Sequence, residues 1–82
     1  MDNYQTKTIY EELQVDDAQE MAIKADIVAD CLRTINARGV SIHHAAVMIG
    51  ITEPELYSIL SGHFHLIATS ALRSYLATLS QN

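Results

Sequence analysis

Apolar and polar positions in the middle of the chain recur with the period of a short amphipathic helix. Over residues 42–49 the apolar residues stand at i, i+3, i+4 and i+7, and these are Ile42, Ala45, Ala46 and Ile49. Ser41 precedes the stretch and is a favourable N-cap. Gly50 follows it, and glycine enters the left-handed C-cap conformation without strain. The pattern therefore predicts a helix that begins after Ser41 and ends at Gly50.

A second short helix is predicted directly after this glycine. Ile51 supplies one apolar side chain to the turn, and residues 52–55 (Thr-Glu-Pro-Glu) form a capping box with proline in the first turn. The apolar residues that follow are Leu56, Ile59 and Leu60, and Gly62 closes the element. Two short helices joined by a glycine turn predict a helix-turn-helix over residues 41–62.

Two further helices are predicted on either side of this motif. The first begins at the capping box of residues 17–20 and stops at Gly39, with an apolar face made of Met21, Ala25, Val28, Leu32 and Ile35 and flanked by Ile27 and Cys31. The second begins near Thr69 or Ser70, and its apolar face consists of Leu72, Tyr75, Leu76 and Leu79. Between the motif and the last helix, residues 63–67 form a loop from which Phe64 and Ile67 are expected to reach the core.

The first residues of the chain predict one more, shorter helix. Thr8–Gln14 has a small apolar face, and Val15, Asp16 and Asp17 interrupt the pattern. The prediction is thus an all-α fold, a compact five-helix bundle. Residues 1–82 form a single domain, in which 1–15 are an N-terminal extension and 16–79 a helical core.

From residue 10 to residue 79 the sequence resembles the Xre/Cro-type helix-turn-helix regulators. The matching features are the alanine pair in the first helix of the motif, Gly-Ile-Thr in the turn, Pro-Glu-Leu after it, and Leu-Ser-Gly-His-Phe at its end. The short antitoxin-like members of the HigA kind, which sit beside an RNA-cleaving toxin, are the most similar group. This resemblance implies a lambda-repressor-like DNA-binding domain. The function it implies is a sequence-specific transcriptional regulator, and one candidate role is the antitoxin of a toxin–antitoxin operon.

The resemblance also implies which residues contact double-stranded DNA. In relatives, the first one or two residues after the Thr or Ser cap of the second motif helix, often glutamine, reach base edges, and so does a residue about one turn later. The loop after this helix often carries basic residues in relatives, and the four histidines fall on or near the face that would meet the phosphate backbone. In this sequence the implied contact residues are Ser41, His43, His44, Thr52, Glu53, Pro54, Tyr57, Ser58, His63 and His65. Glu53 can accept a hydrogen bond from the cytosine amino group, and Pro54 offers only apolar contact. Ile42 stands where relatives usually have a phosphate-bracing glutamine.

Charge leaves the DNA-binding interpretation open. The chain carries five Lys and Arg against ten Asp and Glu, whereas DNA-binding domains usually present a basic stripe. Most acids precede the motif, and from Cys31 onward Glu53 and Glu55 stand against Arg33, Arg38 and Arg73. The alternative hypothesis is a degenerate helix-turn-helix that acts as a protein–protein interaction module without binding DNA.

The four histidines allow three interpretations. They can contact phosphate, because imidazole gains charge in the physiological pH range, or they can be solvated or structural. They can also bind zinc, but no cysteine or acid completes a recognisable ligand spacing, so no metal is expected. Cys31 is the only cysteine and is expected to pack as a small hydrophobe. No motif predicts catalysis or a cofactor.

Two segments could contact partner proteins. In the acidic stretch 8–17, Ile9, Tyr10 and Leu13 either anchor a basic ribonuclease toxin or pack on their own domain. The residues Leu72, Tyr75, Leu76 and Leu79 either complete the core or form the two-fold interface of a homodimer. No apolar run is long enough to span a bilayer and no signal pattern opens the chain, so we expect a cytoplasmic protein without membrane contact.

Overall fold

The computed structural model describes residues 2–81, and it describes the surroundings of side chains from residue 18 to residue 81. Within these residues the chain forms four α-helices: α1 Asp2–Arg38, α2 Ile42–Ile49, α3 Glu53–Leu60 and α4 Thr69–Ser80. None of the four helices combines the length and the apolarity needed to cross a bilayer.

The predicted five-helix count is wrong, because residues 2–38 form one helix of 37 residues. The sequence contains neither glycine nor proline before Gly39. Aspartate in a helix interior costs only a few tenths of a kcal/mol relative to alanine, roughly 0.7 at most. Asp16 and Asp17 are therefore too weak to end a helix, and the separate helix expected over Thr8–Gln14 is part of α1.

The buried face of α1 differs partly from the predicted one. Its buried residues are Lys24, Ile27, Val28, Cys31 and Ile35, and Met21 packs against them. Ala25 and Leu32 were expected in this face and are exposed instead. The prediction selected the apolar residues of the helix, but the face that meets the other helices includes a lysine.

The first motif helix, α2, begins and ends where the sequence predicts; α3 begins after Thr52 as predicted, but it ends at Leu60 with Ser61 as its C-cap, before Gly62. The Ser41 side chain accepts a hydrogen bond from the His44 backbone N–H at 3.0 Å and caps α2. Gly50 adopts φ 81°, and both its own N–H and that of Ile51 donate to the Ala46 carbonyl, at 2.9 and 3.0 Å. This C-cap fixes the turn and directs the chain into α3.

One core holds the motif against the first and last helices. Ala45 and Ala46 of α2, Leu56 and Ile59 of α3, and Leu72 and Leu79 of α4 lie in the same buried cluster as the α1 residues. Phe64 also belongs to this cluster, as predicted, and reaches it from the loop between α3 and α4. Small alanines on α2 allow it to lie close to its neighbours.

Three residues of α1 form hydrogen bonds to the last third of the chain. Lys24 Nζ donates to the His65 carbonyl at 2.9 Å, and Thr69 Oγ1 donates to Glu20 Oε2 at 2.9 Å. Near the other end of α1, the Arg38 guanidinium donates to the Leu79 and Gln81 carbonyls. The early contacts reach the start of α4 and the late ones its end, so α1 and α4 run in the same direction.

Candidate nucleic-acid interface

The outer face of α3 is exposed along its whole length and is mostly polar. Leu56 and Ile59 anchor the helix in the core, which turns Glu53, Pro54, Tyr57 and Ser58 outward. Tyr57 is 67% exposed. These are the four α3 residues that the resemblance assigns to DNA contact, and the structure brings them together on one face.

One contact between side chains links the exposed side of α2 to the outer face of α3. His43 Nδ1 lies 3.3 Å from Glu53 Oε1, so the start of α2 and the start of α3 are joined by their side chains. His44 and Val47 are exposed on the same helix, whereas Ile42 is half-buried and packs against the core. Ile42 thus serves packing where relatives have a phosphate-bracing side chain.

The cap of α3 occupies the polar groups of Thr52 and Glu55. Glu55 Oε1 accepts from the Thr52 backbone N–H at 3.0 Å and from its hydroxyl at 2.8 Å, and the hydroxyl accepts from the Glu55 N–H at 3.2 Å. The hydrogen bonds from the Thr52 backbone and side chain hold the pKa of the Glu55 carboxyl below its usual value. The Thr52 hydroxyl therefore caps α3, and it already makes two hydrogen bonds with Glu55 within the protein.

The loop after α3 carries the other two histidines, and both are exposed. The His63 backbone N–H donates to the Ser58 carbonyl at 2.9 Å. The His65 carbonyl accepts from the Lys24 ammonium, although Lys24 is only 7% exposed. A buried cation on α1 thus holds the loop that presents His63 and His65, a role that no local sequence signal indicates.

Most cations of the described region are engaged within the protein. Lys24 is buried, Arg33 pairs with Asp30 one turn earlier on α1, and Arg38 binds the end of α4. Arg73 on α4 is exposed. Phosphate contacts would therefore depend on the four exposed histidines, on Arg73 and on backbone N–H groups.

An open groove of about 480 Å³ lies beside the outer face of α3. Its walls come from the turn before α3, from α3, from the loop after it and from α4. They include Ile51, Pro54, Ile59, Leu66, Ile67 and Tyr75. Leu66 is 89% exposed at its edge. The size is within the range of small-molecule pockets, but the groove is largely open to solvent.

The remaining predicted residues are placed as follows. Leu72 and Leu79 are buried in the core of the single chain, and Tyr75 and Leu76 are half-buried against it. The side chains of Ile9, Tyr10 and Leu13 lie outside the described part of the structure. Within residues 18–81, no group of three or more His, Cys, Asp and Glu side chains is arranged to hold a metal ion.

Comparison with known proteins agrees with this architecture. The sequence profile of the helix-turn-helix domain family matches residues 9–82, so the chain belongs to that family. No curated protein and no solved structure shows significant similarity to the chain. Helix-turn-helix domains typically bind DNA through the second helix of the motif and do not act as enzymes.

Proposed function

We propose that this protein is a sequence-specific DNA-binding transcriptional regulator of the Xre type, which places α3 in the major groove. The observation that carries the proposal is the outer face of α3. Its polar residues are exposed, and its orientation is fixed by caps at both ends of the turn. A helix held rigidly by its scaffold with a polar outer face is the geometry by which helix-turn-helix proteins reach base edges.

The direct test is binding to the DNA upstream of its own gene, measured by fluorescence anisotropy at low salt. Ser58→Asp adds a negative charge to the outer face of α3. If this face lies in the major groove, the new charge is repelled by the DNA phosphates, and binding should weaken at least about tenfold. Ser74→Asp makes the same change at an exposed position of α4 and is the matched control, with an expected change below about twofold. Equal losses in both variants, or no binding by the unchanged protein, would contradict the proposal.

The oligomeric state of the regulator is part of the same proposal. A two-fold regulator binds half-sites about one DNA turn apart, roughly 34–36 Å, so we propose a homodimer on the operator. Sedimentation of the complex should give two chains per duplex. Tyr75 and Leu76, which are half-buried in the single chain, are the residues of the predicted interface that retain exposed area.

We further propose that the regulator is an antitoxin that represses its own operon. The support is the resemblance to the HigA kind and the acidic composition of residues 8–17, which suits a basic ribonuclease partner. The neighbouring reading frame should then encode a small basic RNA-cleaving protein. A chain that lacks residues 1–15 should retain DNA binding and lose most of its affinity for that partner; a truncated chain that binds the partner at full strength would exclude this segment.

The engagement of the cations favours a second candidate function. If Lys24, Arg33 and Arg38 all serve internal contacts, the fold could act as a protein interaction module without DNA binding. In that case Ser58→Asp and Ser74→Asp would be indistinguishable in the anisotropy assay, because neither complex would form.

A further inference from the structure

The contact between His43 and Glu53 joins the two helices of the motif on their exposed sides. Its atoms are His43 Nδ1 and Glu53 Oε1, 3.3 Å apart, and the two side chains are 73% and 54% exposed. Neither residue contributes to the core. An exposed ion pair of this kind adds little to the stability of the fold, so the pair is not explained by folding alone.

The position of Glu53 determines what the pair can do. Glu53 is the first residue of α3 and lies on the outer face with Pro54, Tyr57 and Ser58. An ionised carboxylate only accepts hydrogen bonds. With His43 at one oxygen, the other oxygen remains available to a donor from outside the protein.

Base edges differ in what they offer such a carboxylate. In the major groove cytosine presents only its N4 amino group as a hydrogen-bonding group, whereas adenine presents the N6 amino group beside the N7 acceptor. Guanine and thymine present carbonyl oxygens, which repel a carboxylate. A fixed carboxylate on the recognition helix therefore selects cytosine over the other three bases.

We propose that the His43–Glu53 pair determines the specificity of the interface: Glu53 reads one cytosine in each half-site, and His43 is the positioning residue that holds the carboxylate. This inference rests on the proposed DNA-binding function. His43 Nδ1 faces Glu53 Oε1 at 3.3 Å, and this contact restricts the Glu53 side chain. When the imidazole is protonated, its charge also counters the negative charge of Glu53 that would otherwise oppose the approach of phosphates.

Further charged groups lie on the helices that pack against α2. The elements packed against α2 carry Glu55 on α3, which is engaged by Thr52, and Arg73 on α4. Among the described residues, Glu53 is the acid that pairs with His43. His44 is next to His43 in sequence and is exposed.

The test is selection of binding duplexes from random DNA by the unchanged protein and by Glu53→Gln. The unchanged protein should select a fixed cytosine in each half-site, with about five- to tenfold weaker binding to duplexes with guanine or thymine there. Glu53→Gln should select adenine at that position, because glutamine pairs with adenine N6 and N7. Glu55→Gln removes the same charge from the same helix and is the control that should still select cytosine.

The role of His43 is tested by two variants on the selected duplex. His43→Ala should reduce the cytosine preference about two- to threefold, and His43→Gln should restore it, because the amide can donate to the carboxylate. Affinity of the unchanged protein should rise more between pH 8 and pH 6 than that of His43→Gln. A preference and a pH profile unaffected by His43→Ala would remove His43 from the mechanism.

The possible results distinguish failure of the base-reading role of Glu53 from failure of the proposed DNA-binding function. If Glu53→Gln selects the same base as the unchanged protein, the base-reading role of Glu53 is overturned, while DNA binding stands. If the unchanged protein selects no sequence and binds no duplex at low salt, the proposed DNA-binding function fails, and the specificity role fails with it.

Discussion

Lys24 lies within the buried face of α1 and is only 7% exposed. A lysine can occupy such a position because its four-carbon stem packs as a hydrophobe while its ammonium reaches a polar partner. Here the partner is the His65 carbonyl. One side chain therefore contributes both to the core and to the position of the loop after α3.

We expect Lys24→Met to loosen that loop. Methionine keeps most of the packing volume and removes the donor, so the free energy of unfolding should fall by about 0.5–1.5 kcal/mol, the net value of one hydrogen bond. The Ile67 amide, which donates to the Phe64 carbonyl at 3.0 Å within the loop, should exchange its hydrogen faster. Arg33→Met removes an exposed charge from the same helix and should change neither quantity appreciably.

Cys31 should be unreactive in the folded protein. Burial, reinforced by the negative charge of Asp30, raises the pKa of its thiol to about 11. The thiolate is the reactive form, so alkylation by iodoacetamide at pH 8 should require unfolding. Because the unfolded thiol ionises near its ordinary pKa of 9.0 and the folded one near 11, stability should fall as pH rises from about 9 to about 11. Rapid labelling under native conditions would contradict this picture.

At the scale of the helices, the capping box fixes the start of α3. Thr52 and Glu55 exchange hydrogen bonds at the helix start. Thr52→Ala should lower the free energy of unfolding by about 1 kcal/mol, as is typical for loss of an N-cap. Ser70→Ala is a suitable control, because α4 begins without a side-chain cap hydrogen bond. Urea denaturation of both variants would measure the difference, and equal losses would argue against the cap.

The helix boundaries show how far sequence signals reach. α2, α3 and α4 were predicted closely because caps, glycines and apolar spacing are local to each element. The boundary inside α1 was wrong because a pair of aspartates disfavours a helix without stopping it. The buried position of Lys24 and the pairing of His43 with Glu53 were not predicted, since both depend on how separate elements meet.

At the scale of the whole molecule, few cations within residues 18–81 are free of contacts inside the protein, so under the proposed DNA-binding function the charge of the histidines should contribute strongly to affinity. DNA affinity should rise as pH falls from 8 to 6, and the salt dependence should steepen by about 0.9 for each phosphate newly contacted. A variant with His63→Gln and His65→Gln should lose the part of this pH response that comes from phosphate contact by the loop, and the part that depends on His43 should remain. Titrations at several salt concentrations provide the measurement; a pH response retained in full by the variant would assign it to other groups.

The contacts between α1 and the last third of the chain also set an order for folding. The hydrogen bonds from Lys24 to His65 and from Arg38 to Leu79 each join residues 41 positions apart. Closing a loop of that length costs roughly 3 kcal/mol of chain entropy, whereas the turn between α2 and α3 closes over a few residues. The motif can therefore form early and locally. Once α1 and α4 meet, both hydrogen bonds can form, and the entropy of closing the loop is lost only once. The association of α1 with α4 should therefore coincide with the rate-limiting step of folding.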